Sequence, residues 1–160
     1  MICYLGLGSN LGDRAELLRA ALERLAAVPG VRVCRTSSLY ETAPWGVAEQ
    51  GPFLNMVAEV ETDLAPPDLL RHAQAIEAAL GRVRGERWGP RVMDVDLLLC
   101  GEVRFSTPEL TLPHPLLEQR QFVLVPLAEL APELRLPSGK TAGELADPQS
   151  AEISLCGPPP

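Results

Sequence analysis

Lysine is almost missing from this chain. Lys140 is the only one among 160 residues, which excludes a lysine Schiff base or a P-loop lysine from the middle of the sequence. Histidine is scarce as well: His72 and His114 lie far apart, which argues against a histidine-based metal site. None of the four cysteines, Cys3, Cys34, Cys100 and Cys156, forms a C-x-x-C pair. They read as reduced and mostly buried side chains, not as a zinc site or a disulfide framework. No apolar run reaches membrane-spanning length, and the opening Met-Ile-Cys-Tyr does not read as a signal peptide. Together these point to the cytoplasm. The formal net charge of -7 argues against a general nucleic-acid surface or an anionic-membrane surface. Aromatics are few, at 4%, so those placed in loops and at strand starts, Trp45, Phe53 and Phe122, stand out.

What positive charge there is comes almost entirely from arginine, and it gathers in one segment. Arg82, Arg84, Arg87 and Arg91 crowd the stretch RVRGERWGPRVMDVDLLL, which spans residues 82–99. Such a cluster suggests a local anion site, with guanidinium groups available to clamp phosphate oxygens. The same stretch then enters a strand with two carboxylates, Asp94 and Asp96. Side chains alternate along a strand, so these two share a face, while Val95 and Leu97 point the other way into a core. Paired carboxylates suit a hard cation such as Mg²⁺, which keeps positions for phosphate. A bare D-x-D reads as a solvated edge. Inside VMDVDLLLC it reads as two inward carboxylates that something must compensate.

Periodicity supplies the architecture. Residues 2–7 form a short apolar strand, followed by a turn over GSNLGD. Leu17, Leu18, Ala21, Leu22 and Leu25 recur at helical spacing until Pro29-Gly30. Residues 31–40 alternate as one strand, and 53–60 (FLNMVAEV) form another, with Phe53, Asn55, Val57 and Glu59 on one face. A helix over about 67–80 buries Leu69, Ala73, Ile76 and Leu80 and stops at Gly81. The aspartate strand follows. Residues 123–130 read as an apolar helix, and beyond Pro132 the chain turns polar toward a fraying GPPP end. The order strand-helix-strand-strand-helix-strand is a ferredoxin-like α/β arrangement: one domain, an antiparallel sheet, and helices packed on one face. Residues 1–135 form its core and 136–160 a C-terminal extension.

Other candidates are ambiguous on their own. The glycines of GLGSNLG do not fit G-x-G-x-x-G spacing and read as a tight turn feeding a helix. Gln74 and Glu77 share a helix side with Leu70; alone they read as a solvated face, but they lie one turn before Arg82. Asn55, next to Phe53, is either satisfied internally or reads the amide-like edge of a flat heterocycle, with Phe53 as a stacking wall and Trp45 and Phe122 as further walls. His114, in L-P-H-P, is a loop residue or a hydrogen-bond donor to phosphate, with Arg120 following it. On these residues the chain reads as a metal-assisted phosphoryl-transfer enzyme. A nucleotidyltransferase, a phosphohydrolase and a non-catalytic ligand-binding module remain as rivals.

The blocks GLGSNLGDR, SSLYETAPWG, FLNMVAEVET, ERWGPRVMDVDLLL and LTLPHPLLEQRQFVLVPLAELAPEL occur together in order and spacing. In this the chain resembles the 6-hydroxymethyl-7,8-dihydropterin pyrophosphokinases of folate synthesis, over roughly residues 2–135 by the motif-in-context standard. The W-G-P-R-x-x-D-x-D block is the specific one. The resemblance implies a ferredoxin-like sandwich acting as a monomer on ATP and 6-hydroxymethyl-7,8-dihydropterin. It implies two Mg²⁺ ions on Asp94 and Asp96, with Arg82 and Arg91 assisting transfer. It further implies ATP contacts from Leu70, Gln74, Glu77, Arg84, Trp88, Arg91, Leu97, Thr111, His114 and Arg120. The pterin would lie among Thr42, Ala43, Pro44, Trp45, Phe53, Asn55 and Phe122. The chain departs from the family pattern at Val92, where threonine is frequent, and at Glu109, where some relatives are basic.

Overall fold

A computed structural model describes residues 1–42, 52–81 and 93–160. The sheet is built outward from β1 (Ile2–Ser9), which pairs antiparallel with β4 (Phe53–Thr62) on one side and with β5 (Asp94–Cys100) on the other. Beyond β4 lie β2 (Val31–Thr36) and β3 (Leu39–Thr42), and β3 in turn pairs with β8 (Ile153–Gly157). The spatial order is therefore β5-β1-β4-β3-β8, with β2 also on β4. Together with α1 (Arg14–Ala26) and α2 (Pro66–Ala79), this is the ferredoxin-like arrangement that the element order suggested.

Alternation along the strands sorts the core into two layers. Leu5 and Leu7 of β1, Met56 and Ala58 of β4, and Val95 and Leu97 of β5 face α1 and α2. There they meet Leu18, Ala21 and Leu25 of one helix and Leu69, Ala73 and Ile76 of the other. Asp13 caps α1 by accepting the Glu16 backbone N–H at 3.3 Å, and Pro66 opens α2, where its missing N–H costs nothing.

The opposite sheet face carries Tyr4, Val57, Leu98 and Leu99. It is covered by α3 (Gln121–Leu130) through Val123, Leu124, Leu127 and Leu130. The helices thus occupy both faces, not one: period-two alternation produced a second apolar face, and α3 is apolar enough to be buried against it. A register shift lets β5 serve both layers. Leu97 pairs with Leu5 and Leu99 with Tyr4, leaving Leu98 as an extra residue, so that Leu98 and Leu99 both reach the α3 side.

The predicted strand 31–40 is two strands. At the break, Val57 N–H donates to the Ser37 hydroxyl at 2.9 Å, while Ser37 N–H donates to the Val57 carbonyl at 2.9 Å. A side-chain oxygen thus stands in for a backbone acceptor and the chain steps aside before β3. The remaining elements are a small β6–β7 hairpin (Phe105–Ser106, Thr111–Leu112), a 3₁₀ turn at Leu117–Gln119 and the short α4 (Ala142–Leu145).

The polar C-terminal stretch contributes an edge strand that composition alone did not announce. Ile153 is buried against Tyr40 and Val125, and β8 covers the edge of β3. Removing residues 153–160 uncovers that edge and that contact. The truncated chain is expected to melt roughly 5 °C lower, with greater aggregation on heating. An unchanged melting temperature in differential scanning calorimetry would show that β8 adds nothing to the sheet.

Candidate active site

Four neighbouring strands put the key side chains in one row. Asp94 of β5 lies opposite Gly8 of β1, Gly8 opposite Asn55 of β4, and Asn55 opposite Tyr40 of β3. One step along, Asp96 lies opposite Gly6, and Gly6 opposite Val57. All of these positions are on the α3 side of the sheet, because Val95 and Leu97 fill the other side. Between the carboxylates and the amide, β1 therefore carries no side chain. The strand spacing sets the Asp94 and Asn55 backbones about 10 Å apart.

This arrangement changes two sequence readings. The glycines at 6 and 8 belong to strand β1, which runs to Ser9, and not to a turn. The aspartates are not buried either. Asp94 is half-exposed and Asp96 exposed, because the neighbouring glycines add nothing to cover them. Gly8 is also required for packing: a Cβ there would lie 2.8 Å from Asn55 Oδ1.

Asn55 itself is buried, and its Nδ2 donates to Thr42 Oγ1 at 2.8 Å. Thr42 is buried and lies opposite half-buried Phe53. Phe122, at the start of α3, is half-buried against both Tyr40 and the main α3 layer. The Arg120 guanidinium lies 5.4 Å from the Phe122 ring centroid, within cation–π range.

On the other flank, His114 is tied to the aspartate strand. Its backbone N–H donates to the Leu98 carbonyl at 2.8 Å, and its Nδ1 accepts the Leu116 N–H at 3.1 Å. A neutral imidazole accepting at Nδ1 carries its proton on Nε2. Burial, and then the nearby Arg120 charge, hold its pKa below the ordinary histidine value. His114 is thus a neutral ring with a fixed donor.

Glu77 is buried on α2, where its Oε2 accepts the backbone N–H of Val95 at 2.9 Å. Val95 stands between the two aspartates, so this carboxylate ties α2 to the strand segment that presents them. A solvated face describes Gln74, which is exposed, but not Glu77. Leu70 is half-buried on α2, Leu97 lies in the core, and Thr111 is exposed on β7. Arg82, Arg84, Trp88 and Arg91, together with Ala43, Pro44 and Trp45, lie outside the described residues.

Asp94 and Asp96 fit a magnesium ion in chemistry and access: hard oxygen donors, accessible to water, bordered by glycines. Among the described residues no group of three or more His, Cys, Asp or Glu could form a closed cage. An open pair suits a cation that shares its coordination sphere with waters and substrate phosphates. Sequence reasoning overlooked Gly8 and Tyr40. The signal for Gly8 was available: two glycines at period two in an otherwise apolar strand.

Comparison with known proteins identifies the family. The sequence model of the 7,8-dihydro-6-hydroxymethylpterin-pyrophosphokinase family matches residues 4–132. The 2-amino-4-hydroxy-6-hydroxymethyldihydropteridine pyrophosphokinase of Methylorubrum extorquens is 52% identical over 141 residues, covering 88% of this chain and 89% of the relative. The enzyme of that name from Pseudomonas aeruginosa is 49% identical over 142 residues, covering 89% of this chain and 88% of the relative. Among solved structures, Plasmodium falciparum HPPK-DHPS with pteroate superposes with a TM-score of 0.72 at 16% identity, which speaks to the fold. That match covers 90% of this chain and 41% of the longer Plasmodium chain. The chain belongs to the 7,8-dihydro-6-hydroxymethylpterin-pyrophosphokinase family.

Two expectations follow from the geometry. Nitrogen-15 NMR at pH 7 should find His114 neutral with the proton on Nε2, and its titration midpoint should fall below 6.5. Because the folded pKa is depressed, the His114 contribution to stability is complete above the unfolded value and declines as pH falls through the folded one. A Nδ1–H tautomer, or a raised midpoint, would contradict the assignment. Gly8→Ala should displace the Asn55 amide and cost about 1–3 kcal/mol in urea unfolding. A crystal structure of that variant with the Asn55–Thr42 bond intact would count against the clash.

Proposed function

We propose that this chain transfers the terminal pyrophosphoryl group of ATP to the hydroxymethyl oxygen of 6-hydroxymethyl-7,8-dihydropterin, yielding AMP and the pterin diphosphate. The observation that carries the reading is the row Asp94–Gly8–Asn55: a half-exposed carboxylate, with exposed Asp96 beside it, and a buried amide flank a glycine of β1. One flank suits phosphate chemistry and the other a flat heterocycle with an amide-like edge. Family membership supplies the pterin and the pyrophosphoryl group.

In this reading Phe53 and Phe122 enclose the pterin ring, while Asn55 and Thr42 meet its polar edge. Asn55 is well suited to that task. Its Nδ2 already donates to Thr42, which fixes the amide plane and places Oδ1 over buried Gly8. The pterin hydroxymethyl then lies on the aspartate side. Its oxygen attacks the β-phosphorus in line; the bond from that phosphorus to the α,β-bridging oxygen breaks, AMP leaves with the electron pair, and the alcohol's proton is released to water.

Asp94 and Asp96 would hold two Mg²⁺ ions, which when bound offset the triphosphate charge and orient the attacking alcohol. His114 donates from Nε2 to a phosphate oxygen as a neutral group, and Glu77 keeps the aspartate segment in place from behind. Arg82 and Arg91 assist the transferred group. Leu70, Gln74, Arg84, Trp88, Leu97, Thr111 and Arg120 complete the ATP side, and Ala43, Pro44 and Trp45 the pterin side. The enzyme acts as a cytoplasmic monomer, with residues 1–135 as its core and 136–160 as an extension of the same domain. No helix among the described residues is long and apolar enough to cross a membrane.

The test is incubation with ATP, Mg²⁺ and the reduced hydroxymethylpterin, with AMP and pterin diphosphate quantified. They should appear in equal amounts; nucleotide transfer or free phosphate would favour the rival enzyme classes. Asp96→Asn should keep the fold by circular dichroism and lose most activity, about 10²-fold or more, because one of two anionic ligands is gone. Near-wild-type turnover of that variant at limiting Mg²⁺ would refute the metal assignment.

A further inference from the structure

We infer that Glu129 and Tyr40 are positioning residues for the pterin subsite: their hydrogen bond holds β3 against α3 and so sets the gap between Asn55–Thr42 on the sheet and Phe122 on the helix. The inference rests on the pocket proposed above and names residues that do not themselves belong to it.

The geometry starts from how α3 presents its side chains. Phe122, Val125 and Glu129 stand at i, i+3 and i+7 and therefore share one helix face. That face looks onto β3. Val125 packs with Tyr40 and Ile153, and Phe122 is packed against the same group. Glu129, two turns from Phe122 and about 10 Å along the helix, makes the polar contact. Its Oε1 accepts the Tyr40 hydroxyl at 2.6 Å, and its Oε2 accepts the Ser38 N–H at 2.9 Å and the Ser38 hydroxyl at 3.1 Å. One carboxylate thereby takes donors from Ser38, just before β3, and from Tyr40 within it.

Tyr40 connects this clamp to the pocket. It lies opposite Asn55 in the strand register, and Thr42, two residues on along β3, accepts the Asn55 amide. The Tyr40 ring therefore stands between the row that reads the pterin edge and the helix that provides its wall. Burial and the neighbouring carboxylate push the Tyr40 phenol pKa upward, so the hydroxyl remains a donor throughout the working range. A planar ligand held between sheet and helix is sensitive to their separation, because a small widening loses contact on one face. ATP, placed in the proposed reading toward β5 and α2 with only Arg120 at the start of α3, should depend less on that separation.

The experiment compares Tyr40→Phe, Glu129→Gln, Glu129→Ala and the pair Tyr40→Phe/Glu129→Gln, with Asn55→Ala as a control for the pocket. Calorimetry measures the affinity for 6-hydroxymethyl-7,8-dihydropterin and, separately, for a non-hydrolysable ATP analogue with Mg²⁺. Both are measured well below each variant's melting temperature. Tyr40→Phe deletes one hydroxyl and leaves the ring, so it tests the clamp even if Glu129→Ala fails to fold. It should weaken pterin binding about three- to tenfold, with the ATP analogue affected less than about twofold. Glu129→Gln should restore part of what Glu129→Ala loses, and adding Tyr40→Phe to it should cost less than the sum of the two. Unchanged pterin affinity in Tyr40→Phe, or equal losses for both ligands, overturns the inference. If Asn55→Ala binds pterin as tightly as the wild type, the pocket itself is misplaced and both readings fall. If Asn55→Ala loses pterin while Tyr40→Phe does not, only the positioning role fails.

Discussion

Two glycines in the strand beside the sheet edge make room for the side chains of its neighbours, Leu98 over Gly6 and Asn55 over Gly8. Every other position near them on the α3 side carries a side chain that packs or bonds: Tyr4 and Val57 enter the α3 layer, and Asn55 bonds to Thr42. Gly6 and Gly8 add no side chain there: Leu98 lies over Gly6 and Asn55 over Gly8, with the aspartates of β5 on the far side of β1. A methyl group at position 8 would strike the Asn55 amide oxygen. In the proposed reading a flat ligand and a polyphosphate lie side by side on this face. A sheet with apolar packing on both faces thereby keeps a polar site at one end.

The polar groups around this gap are held by partners behind them. Glu77 fixes the segment between the aspartates through the Val95 N–H. Leu116 N–H fixes the His114 tautomer, and Glu129 fixes the start of β3. Buried Glu77 and exposed Glu129 act as acceptors, and the Leu116 N–H acts as a donor. Groups set in place before substrate arrives need not reorganise during the reaction, which is where electrostatic stabilisation is most effective. Away from the gap, the Tyr4–Glu59–Arg35 cluster plays a different part. Arg35 and Tyr4 both donate to Glu59, and Arg35 holds that carboxylate's pKa down while burial raises the Tyr4 phenol to about 12. It closes the far end of the sheet on the α3 side.

Much of the fold could be read from periodicity, because helices α1 and α2 and strands β1, β4 and β5 each bury a clear stripe. The aspartate pair was legible for the same reason: a two-residue spacing on a strand implies a shared face. The Asn55–Thr42 bond was not, since it depends on the register of two strands whose connection is not encoded in either of them. The glycines were read as a turn because a glycine run looks alike whether it bends the chain or clears space beside a neighbour. The covering of the second face by α3 was missed because an apolar stretch reveals that it is buried, but not against which layer. The edge strand β8 was hidden by its short length and polar surroundings. Its outward residues Ser154, Leu155 and Cys156 are exposed, and only Ile153 is buried.

The central claim is that the carboxylate pair and the pterin reader adjoin each other across Gly8. Paramagnetic relaxation measures this directly. With Mn²⁺ in place of Mg²⁺ and a non-hydrolysable ATP analogue bound, proton NMR of 6-hydroxymethyl-7,8-dihydropterin should show its hydroxymethyl protons relaxing much faster than in a Mg²⁺ control. Replacing both Asp94 and Asp96 by asparagine should abolish that enhancement. Pterin that binds with no enhancement of its hydroxymethyl protons, or with the same enhancement in the doubly substituted enzyme, would contradict the account.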